Sequence, residues 1–199
     1  EPFDLLDVRS SSPGSARTLQ IGTVNGISDI PFVSTLFGTG SADVTFNIYN
    51  GRLMMTNGAE ILGAVQMDSS IGRFDILPGT TGYVNQVAML AGIFSNRGDL
   101  IAFSNINVGG GIALLDGIQS FATNLSLGGG TAIVSSASLG IGKLQMSGGT
   151  LRAATDYTLA AELGTTLGAS GGTFLVDPGT TLTSSNVIDG IGGLAKTGG

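Results

Sequence analysis

The chain offers few of the side chains on which enzyme chemistry usually depends. Its 199 residues include no histidine and no cysteine. The commonest general base, the commonest protein metal ligand and the thiolate nucleophile are therefore all missing. We expect no catalytic residue, no metal site and no cofactor, and we predict that the protein is not an enzyme.

One short motif has the composition of a receptor-binding site. Arg97-Gly98-Asp99 lies within the stretch SNRGDLIAF at 95–103. At an exposed turn, such a tripeptide can present a guanidinium and a carboxylate to an integrin-type receptor, with the aspartate completing a metal site on the partner. Asn96 and Gly98 predict a turn just before a strand over LIAF. We take the tripeptide as the candidate binding site; an ordinary solvated turn before a strand is the alternative.

Other motifs resemble catalytic loops but lack the residues that would make them work. GASGG at 168–172 fits the G-x-S-x-G pattern of hydrolases, yet no histidine exists to accept the Ser170 proton. The glycine runs at 109–117 and 128–136 lack both a G-x-G-x-x-G opening and the lysine of a phosphate-binding loop. We interpret all three as turns of a repeating structure.

The acidic residues leave a carbohydrate-active enzyme open as an alternative. A glycosidase needs two carboxylates that face each other across a sugar bond. Asp75 and Asp177 hold different places in two related segments, so these two are not expected to stack. Folding could bring Asp99 and Asp116 together. A carbohydrate-active hydrolase or lyase is therefore the alternative to the prediction that the protein is not an enzyme.

Charge and hydropathy narrow the range of partners. The net charge is −6 and only 11% of residues are charged, which argues against nucleic acid and anionic membrane surfaces as partners. Apolar runs such as MLAGIF at 89–94 are far shorter than the ~18 residues that a membrane-crossing helix needs. We therefore expect no direct membrane insertion by these residues.

A repeat runs through the chain and predicts its fold. Four segments share the order Gly, x, Leu/Phe, x, Met/Ile/Val, x, turn residue, Gly, Ala/Thr: GRLMMTNGA at 51–59, GRFDILPGT at 72–80, GKLQMSGGT at 142–150 and GTFLVDPGT at 172–180. The period of two predicts strands with one buried face. It places in the core Leu53 with Met55, Phe74 with Ile76, Leu144 with Met146, and Phe174 with Val176.

Recurring short strands and turns indicate stacked supersecondary units in one all-β domain over 1–199. A looser glycine-rich pair at 108–114 and 127–133 recurs after nineteen residues, and the clearest repeats lie at 51–82 and 142–199. At roughly 22 residues per turn, we predict a parallel β-solenoid of about nine rungs with ~4.8 Å between rungs. An antiparallel sandwich or barrel is the alternative. The best helix candidate is YTLAAEL at 157–163.

The last third of the chain resembles a known family. Residues 142–199 are similar to the autotransporter-associated β-strand repeats in passenger domains of Gram-negative autotransporters, the group that includes pertactin-like β-helical adhesins. In those repeats a GGTL-type strand leads to an I-x-G-x-G-G-L-x-K-x-G element, and IDGIGGLAKTGG at 188–199 has this order from Ile188 to Gly198. The residues before 142 share only the general pattern of short strands and glycine-rich turns with this family. The strand that usually follows the element is absent.

The resemblance implies a right-handed β-helix from a longer secreted passenger, displayed at the bacterial cell surface through an outer-membrane barrel that these residues do not include. It implies an adhesin or virulence scaffold whose partner is a host cell-surface or matrix protein or glycan. Self-association through exposed rung ends is a further expectation, and a purely structural stalk is an alternative. The predicted loop insertions, where the repeat lapses, are 25–42, 83–98 and 152–166.

Overall fold

The computed structural model consists of short strands joined by turns, with no helix among the residues it describes. It describes residues 6–7, 17–21, 28–33, 36–37, 44–48, 51–55, 60–79, 81–102, 104–121, 124–135 and 142–199. Their strands are, in chain order, β1 Leu6–Asp7, β2 Arg17–Ile21, β3 Ser28–Val33, β4 Leu36–Phe37, β5 Val44–Ile48, β6 Gly51–Met55, β7 Glu60–Met67, β8 Arg73–Ile76, β9 Thr81–Met89, β10 Ile93–Asn96, β11 Asp99–Ala102, β12 Asn105–Val108, β13 Ile112–Leu115, β14 Ile118–Phe121, β15 Asn124–Leu127, β16 Thr131–Val134, β17 Lys143–Met146, β18 Thr150–Ala153, β19 Tyr157–Leu159, β20 Gly164–Leu167, β21 Gly172–Val176, β22 Leu182–Ser184, β23 Ile188–Gly190 and β24 Leu194–Gly198.

These strands pair in parallel with the strands of the next turn, so the chain forms a parallel β-solenoid. The first ladder is a nine-stranded sheet in the order β24-β21-β18-β16-β13-β10-β8-β6-β3. A second ladder joins β1, β4, the first half of β7, the first half of β9, β11 and β14, and the separate pair β19 and β22 takes the same place in later turns. A third ladder joins β2, β5, the remaining halves of β7 and β9, β12, β15, β17, β20 and β23.

The register between turns is regular in the middle of the rod. Phe94 pairs with Ala113, Ala113 with Ala132, and Ala132 with Leu151, which is nineteen residues per turn. The spacing then widens to twenty-three, since Thr150 pairs with Thr173. Residues at this spacing therefore lie side by side on neighbouring turns, and a column of side chains runs along each ladder.

The core is built by the inward positions of all three ladders. The eight side chains that the sequence repeat places inside, from Leu53 to Val176, are at most 5% exposed. Phe74 and Phe94 stack with ring centroids 5.3 Å apart and an interplanar angle of 16°, which joins two consecutive turns of the first ladder. The predicted alternation of buried and outward residues is therefore confirmed, as is the predicted parallel β-solenoid.

The repeat also marks turns correctly. Gly79 and Gly179, each the glycine of a Pro-Gly pair, have φ values of +73° and +76°, a region that side chains with a Cβ rarely adopt. The two related segments at 72–80 and 172–180 occupy the same first ladder as β8 and β21. The segment at 142–150 differs, because its strand β17 belongs to the third ladder, so the shared pattern identifies a strand and its turn but not a ladder.

Some predictions made where the pattern lapses are wrong. Residues 83–98 are not a loop insertion, since most of them belong to β9 and β10. The helix considered at 157–163 is strand β19 followed by a turn. Within 152–166, residues 160–163 do separate β19 from β20, although β19 lies inside that range and β20 begins in it. Much of 25–42 lies outside the described residues, apart from β3 and β4. The right hand and the count of nine rungs stay predictions.

Candidate functional site

The Arg-Gly-Asp tripeptide forms the corner between the first and second ladders. Arg97 and Gly98 connect β10 to β11, and Asp99 is the first residue of β11. The Arg97 and Asp99 residues are exposed whereas Gly98 is buried. The predicted turn before a strand is thus confirmed, and both charged side chains of the tripeptide lie at the surface. Use of the tripeptide by a receptor stays a prediction.

A buried asparagine holds this corner in place. Asn96 is the last residue of β10 and is 0% exposed. Its Oδ1 accepts a hydrogen bond from the Gly98 N–H at 3.2 Å, while its backbone oxygen accepts the N–H groups of Asp116 and Gly117 from the next turn, both at 2.9 Å. Asn96 therefore accepts hydrogen bonds from backbone N–H groups of corners on two turns. Its inward position in the strand does not predict this role.

The next turn closes over the corner from above. A Cβ atom placed on Gly117 would lie 1.8 Å from the Gly98 oxygen, so only a glycine fits there without movement of the backbone. On the other side, the Arg97 N–H donates to the Ile76 oxygen at 3.0 Å. The tripeptide is therefore a tight corner within a stack of corners, and it presents its guanidinium and carboxylate from fixed backbone positions.

Two carboxylates weighed as catalytic from the sequence are held by arginines: Asp75 by one on the preceding turn and one on its own strand, and Asp177 by one on the preceding turn. Asp75 is 4% exposed at its side chain and accepts hydrogen bonds from Arg52 Nε at 2.5 Å and Arg73 Nε at 2.8 Å. Asp177 accepts two parallel hydrogen bonds from Arg152, each 2.8 Å long. The expectation that Asp75 and Asp177 do not stack agrees with this arrangement, since one lies on a strand and the other at a corner.

The ion pairs set the charge state of these groups. The hydrogen bond from Arg152 holds the pKa of Asp177 below its ordinary value of 3.8, although partial burial opposes the shift. The hydrogen bonds to Asp75 and Asp177 likewise raise the pKa values of Arg73 and Arg152. The Asp177 carboxylate is therefore ionised and paired with Arg152 at neutral pH, which is a poor arrangement for a general acid. Among the residues that the structure describes, no three His, Cys, Asp or Glu side chains group as a metal site.

The remaining motifs are turns, as the sequence predicts. Ser170 lies in the turn between β20 and β21 and is exposed, beside Gly171 with φ +67°. The glycine runs at 109–111 and 128–130 connect the third ladder to the first in consecutive turns. Neither location has the strand-to-helix context that a nucleophile elbow or a phosphate loop requires.

The third ladder carries a polar surface that sequence reasoning did not locate. Six uncharged side chains at outward positions of β12, β15, β17 and β20 form two short columns, which we call the amide face; Lys143 continues one column and Asp189 the other. In one column Asn105 pairs with Asn124; in the other Asn107 pairs with Ser126, Ser126 with Gln145, and Gln145 with Thr166. The sequence contains a trace of this surface, because polar residues of β12, β15 and β17 recur at a spacing of nineteen residues. It emerges only when outward rather than inward positions are compared.

Hydrogen bonds between neighbouring side chains order the amide face. Asn105 Oδ1 accepts the Ser104 hydroxyl at 2.6 Å, and Asn105 Nδ2 donates to Asn107 Oδ1 at 2.9 Å. Across the turns, the Ser126 hydroxyl donates to Gln145 Oε1 at 3.3 Å. Within the described part of the chain, no hydrogen bond involves the side-chain carboxamide of Asn124, the Nδ2 of Asn107 or the Nε2 of Gln145. These side-chain N–H groups are therefore available as donors to solvent.

Comparison with known proteins adds no relative. No family model, curated protein or solved structure matches the chain. A separate observation concerns membranes: none of the described segments forms a helix long and apolar enough to cross one. The assignment of function therefore depends on the corner, the amide face and the resemblance carried by residues 142–199.

Proposed function

We propose that this chain is part of a secreted, surface-displayed autotransporter passenger that acts as an adhesive scaffold. The observation that carries the proposal is the register of the solenoid, which lines up side chains from successive turns into continuous outward surfaces. The resemblance of residues 142–199 to passenger repeats is the reason for proposing this class of protein. In this proposal, a barrel outside these residues anchors the protein at the outer membrane of the bacterium.

The partner in this proposal is a host cell-surface or matrix protein or glycan. Two sites are available for it: the corner at Arg97, Gly98 and Asp99, and the amide face. The amide face lies on a ladder, and the corner joins two ladders through a two-residue connection. Contact residues are therefore held without ordering a flexible loop, which favours binding because less conformational freedom is lost. No covalent step is part of the proposal, since the engaged carboxylates of Asp75 and Asp177 serve the fold.

Attachment of the purified chain to cells and matrix tests the proposal. Beads coated with the chain are expected to attach saturably to cultured epithelial cells or to fibronectin- and collagen-coated surfaces, more than beads coated with a globular control protein. Absence of attachment on every surface would favour a stalk and contradict the proposal. Release of reducing sugars from polysaccharides by the purified chain would instead support a carbohydrate-active enzyme.

The corner is tested in the same assay by a change of one methylene. Asp99→Glu keeps the charge but moves the carboxylate away from the position that a receptor metal ion would need. If the tripeptide is used, attachment through a metal-dependent receptor falls to the level seen with a divalent-ion chelator. Unchanged attachment by Asp99→Glu would remove the corner from the proposal and leave the amide face as its binding site.

A further inference from the structure

The amide face has a regular chemistry that limits what it can bind. Its six side chains are carboxamides and hydroxyls, and successive turns repeat them at ~4.8 Å, the spacing of neighbouring strands. They are Asn105, Asn107, Asn124, Ser126, Gln145 and Thr166. Each can donate or accept a hydrogen bond and none carries a charge. A ligand that satisfies many of them must repeat neutral hydroxyl-like groups at a similar interval.

The order within the face favours binding over mere solvation. Hydrogen bonds to Asn105, between Asn105 and Asn107, and between Ser126 and Gln145 orient three of the four carboxamides of the face in the free protein. The side-chain N–H donors of Asn107, Asn124 and Gln145 are not used by the described residues and are open to a ligand. Because the carboxamides of Asn105, Asn107 and Gln145 are already ordered, a ligand loses less binding free energy to their immobilisation.

The surroundings of the face argue against other classes of ligand. The centre of a protein–protein interface is usually apolar and aromatic, and the six side chains of the amide face are neither. Among the described residues whose pairing with these six is resolved, Lys143 beside Asn124 is the one cation and Asp189 beside Thr166 is an anion, so a polyanion would find too little positive charge. A neutral glycan supplies repeated hydroxyls without a charge to be desolvated.

We propose that the amide face binds a neutral, extended glycan whose chain runs along the solenoid axis. In this orientation consecutive sugar rings meet consecutive turns, and each turn adds a weak contact to the same molecule, so that affinity grows with glycan length. The inference rests on the proposed adhesive function and deepens it by naming the class of partner and the surface that binds it.

Titration of the full chain with cellohexaose, an extended neutral oligosaccharide, tests the inference. Chemical-shift changes or calorimetry are expected to show saturable binding that weakens by at least about tenfold in the double variant Asn107→Leu/Asn124→Leu, which keeps side-chain size but removes the open donors. Cellobiose is expected to bind at least about tenfold more weakly than cellohexaose, because it spans fewer turns.

A matched control is available on the first ladder. Thr131 and Thr150 pair on neighbouring turns at outward positions, so Thr131→Val/Thr150→Val makes the same polar-to-apolar change away from the amide face and is expected to bind cellohexaose normally. Circular dichroism and urea unfolding establish that each variant is folded. If the leucine variant fails to fold, the smaller truncations Ser126→Ala and Gln145→Ala replace it, and each is expected to weaken binding.

The result separates this inference from the adhesive function on which it rests. Absence of cellohexaose binding by the unaltered chain, equal loss in the threonine control, or preference for a sulfated hexasaccharide would overturn the glycan assignment. Bead attachment by an unaltered chain that does not bind cellohexaose would leave the adhesive function in place without the glycan site. Cellohexaose binding without any attachment to cells or matrix would instead support the glycan site and contradict the adhesive function.

Discussion

Asp75 shows how a residue that resembles a catalytic acid can belong to the framework. Its carboxylate lies between Arg52 and Arg73, which pair directly across two turns of the first ladder. Two guanidiniums at neighbouring-strand distance repel each other unless an anion lies between them. The buried carboxylate supplies that anion, so the three side chains stabilise the pairing of β6 with β8.

Replacing this carboxylate by its amide should weaken the fold measurably. Asp75→Asn keeps the shape of the side chain but leaves two facing arginines without a counterion. Because each arginine is about 40% exposed, solvent screens part of the loss, and we expect the free energy of unfolding to fall by about 1–3 kcal/mol. Urea unfolding at low and high salt measures it, with a smaller loss at high salt because the repulsion is screened.

Asp177→Asn serves as the control for this prediction. Asp177 pairs with one arginine instead of two, and its side chain is more exposed than that of Asp75. The amide at position 177 therefore leaves no pair of facing cations behind and should have the smaller effect. Equal stability losses in the two variants would contradict a framework role specific to the Arg52–Asp75–Arg73 cluster.

At the scale of the element, the corners depend on close contact between turns. Gly117 lies over Gly98, and the backbone oxygen of Gly98 occupies the place that a Cβ atom on Gly117 would need. Asn96 ties both turns together through its side chain and its backbone oxygen. The geometry of the Arg-Gly-Asp corner is therefore set as much by the turn above it as by its own residues.

Gly117→Ala should consequently destabilise the solenoid. The added methyl group forces the backbone at Gly98 to move, and we expect a loss of about 1–3 kcal/mol in the free energy of unfolding, as for other overpacked sites. Gly193→Ala is the matched control, because a Cβ atom there meets nothing within 4 Å, and it should be nearly neutral. Urea unfolding of both variants tests the contact, and a Gly117→Ala protein as stable as the control would refute it.

Strands were more predictable from the sequence than their positions in the turn. Alternation at Leu53 with Met55 or Phe74 with Ile76 identifies a strand with one buried face, because only inward positions must be apolar. The same pattern at Leu144 with Met146 lies in a different ladder, since all ladders face one core and demand the same residues. Where short turns join variable strands, as in 83–98, the local pattern was too weak to separate strand from loop.

At the scale of the whole molecule, both candidate binding surfaces are products of register. The outward residues of the amide face are far apart in sequence and meet only because β12, β15, β17 and β20 stack without slippage. The single tripeptide at 97–99 could be found as a motif, whereas the amide face could not, because no short stretch contains it. The nineteen-residue recurrence of outward polar positions is its only trace in the sequence.

Both surfaces depend on the parallel register of the strands, which paired cysteines can measure. The chain has no cysteine of its own, so introduced thiols have no competing partner. Asn107 and Ser126 pair on adjacent strands, which places their Cα atoms about 4.8 Å apart, within the range of a disulfide. Gln145 is one strand further along the column, about 10 Å from Asn107 and beyond that range.

The measurement compares disulfide formation in Asn107→Cys/Ser126→Cys and Asn107→Cys/Gln145→Cys under mild oxidation, read by mass spectrometry of the monomer after digestion. The account predicts a rapid intramolecular disulfide in the first variant and little in the second. Equal rates in the two variants, or faster closure between positions 107 and 145, would contradict the parallel solenoid and, with it, both proposed surfaces.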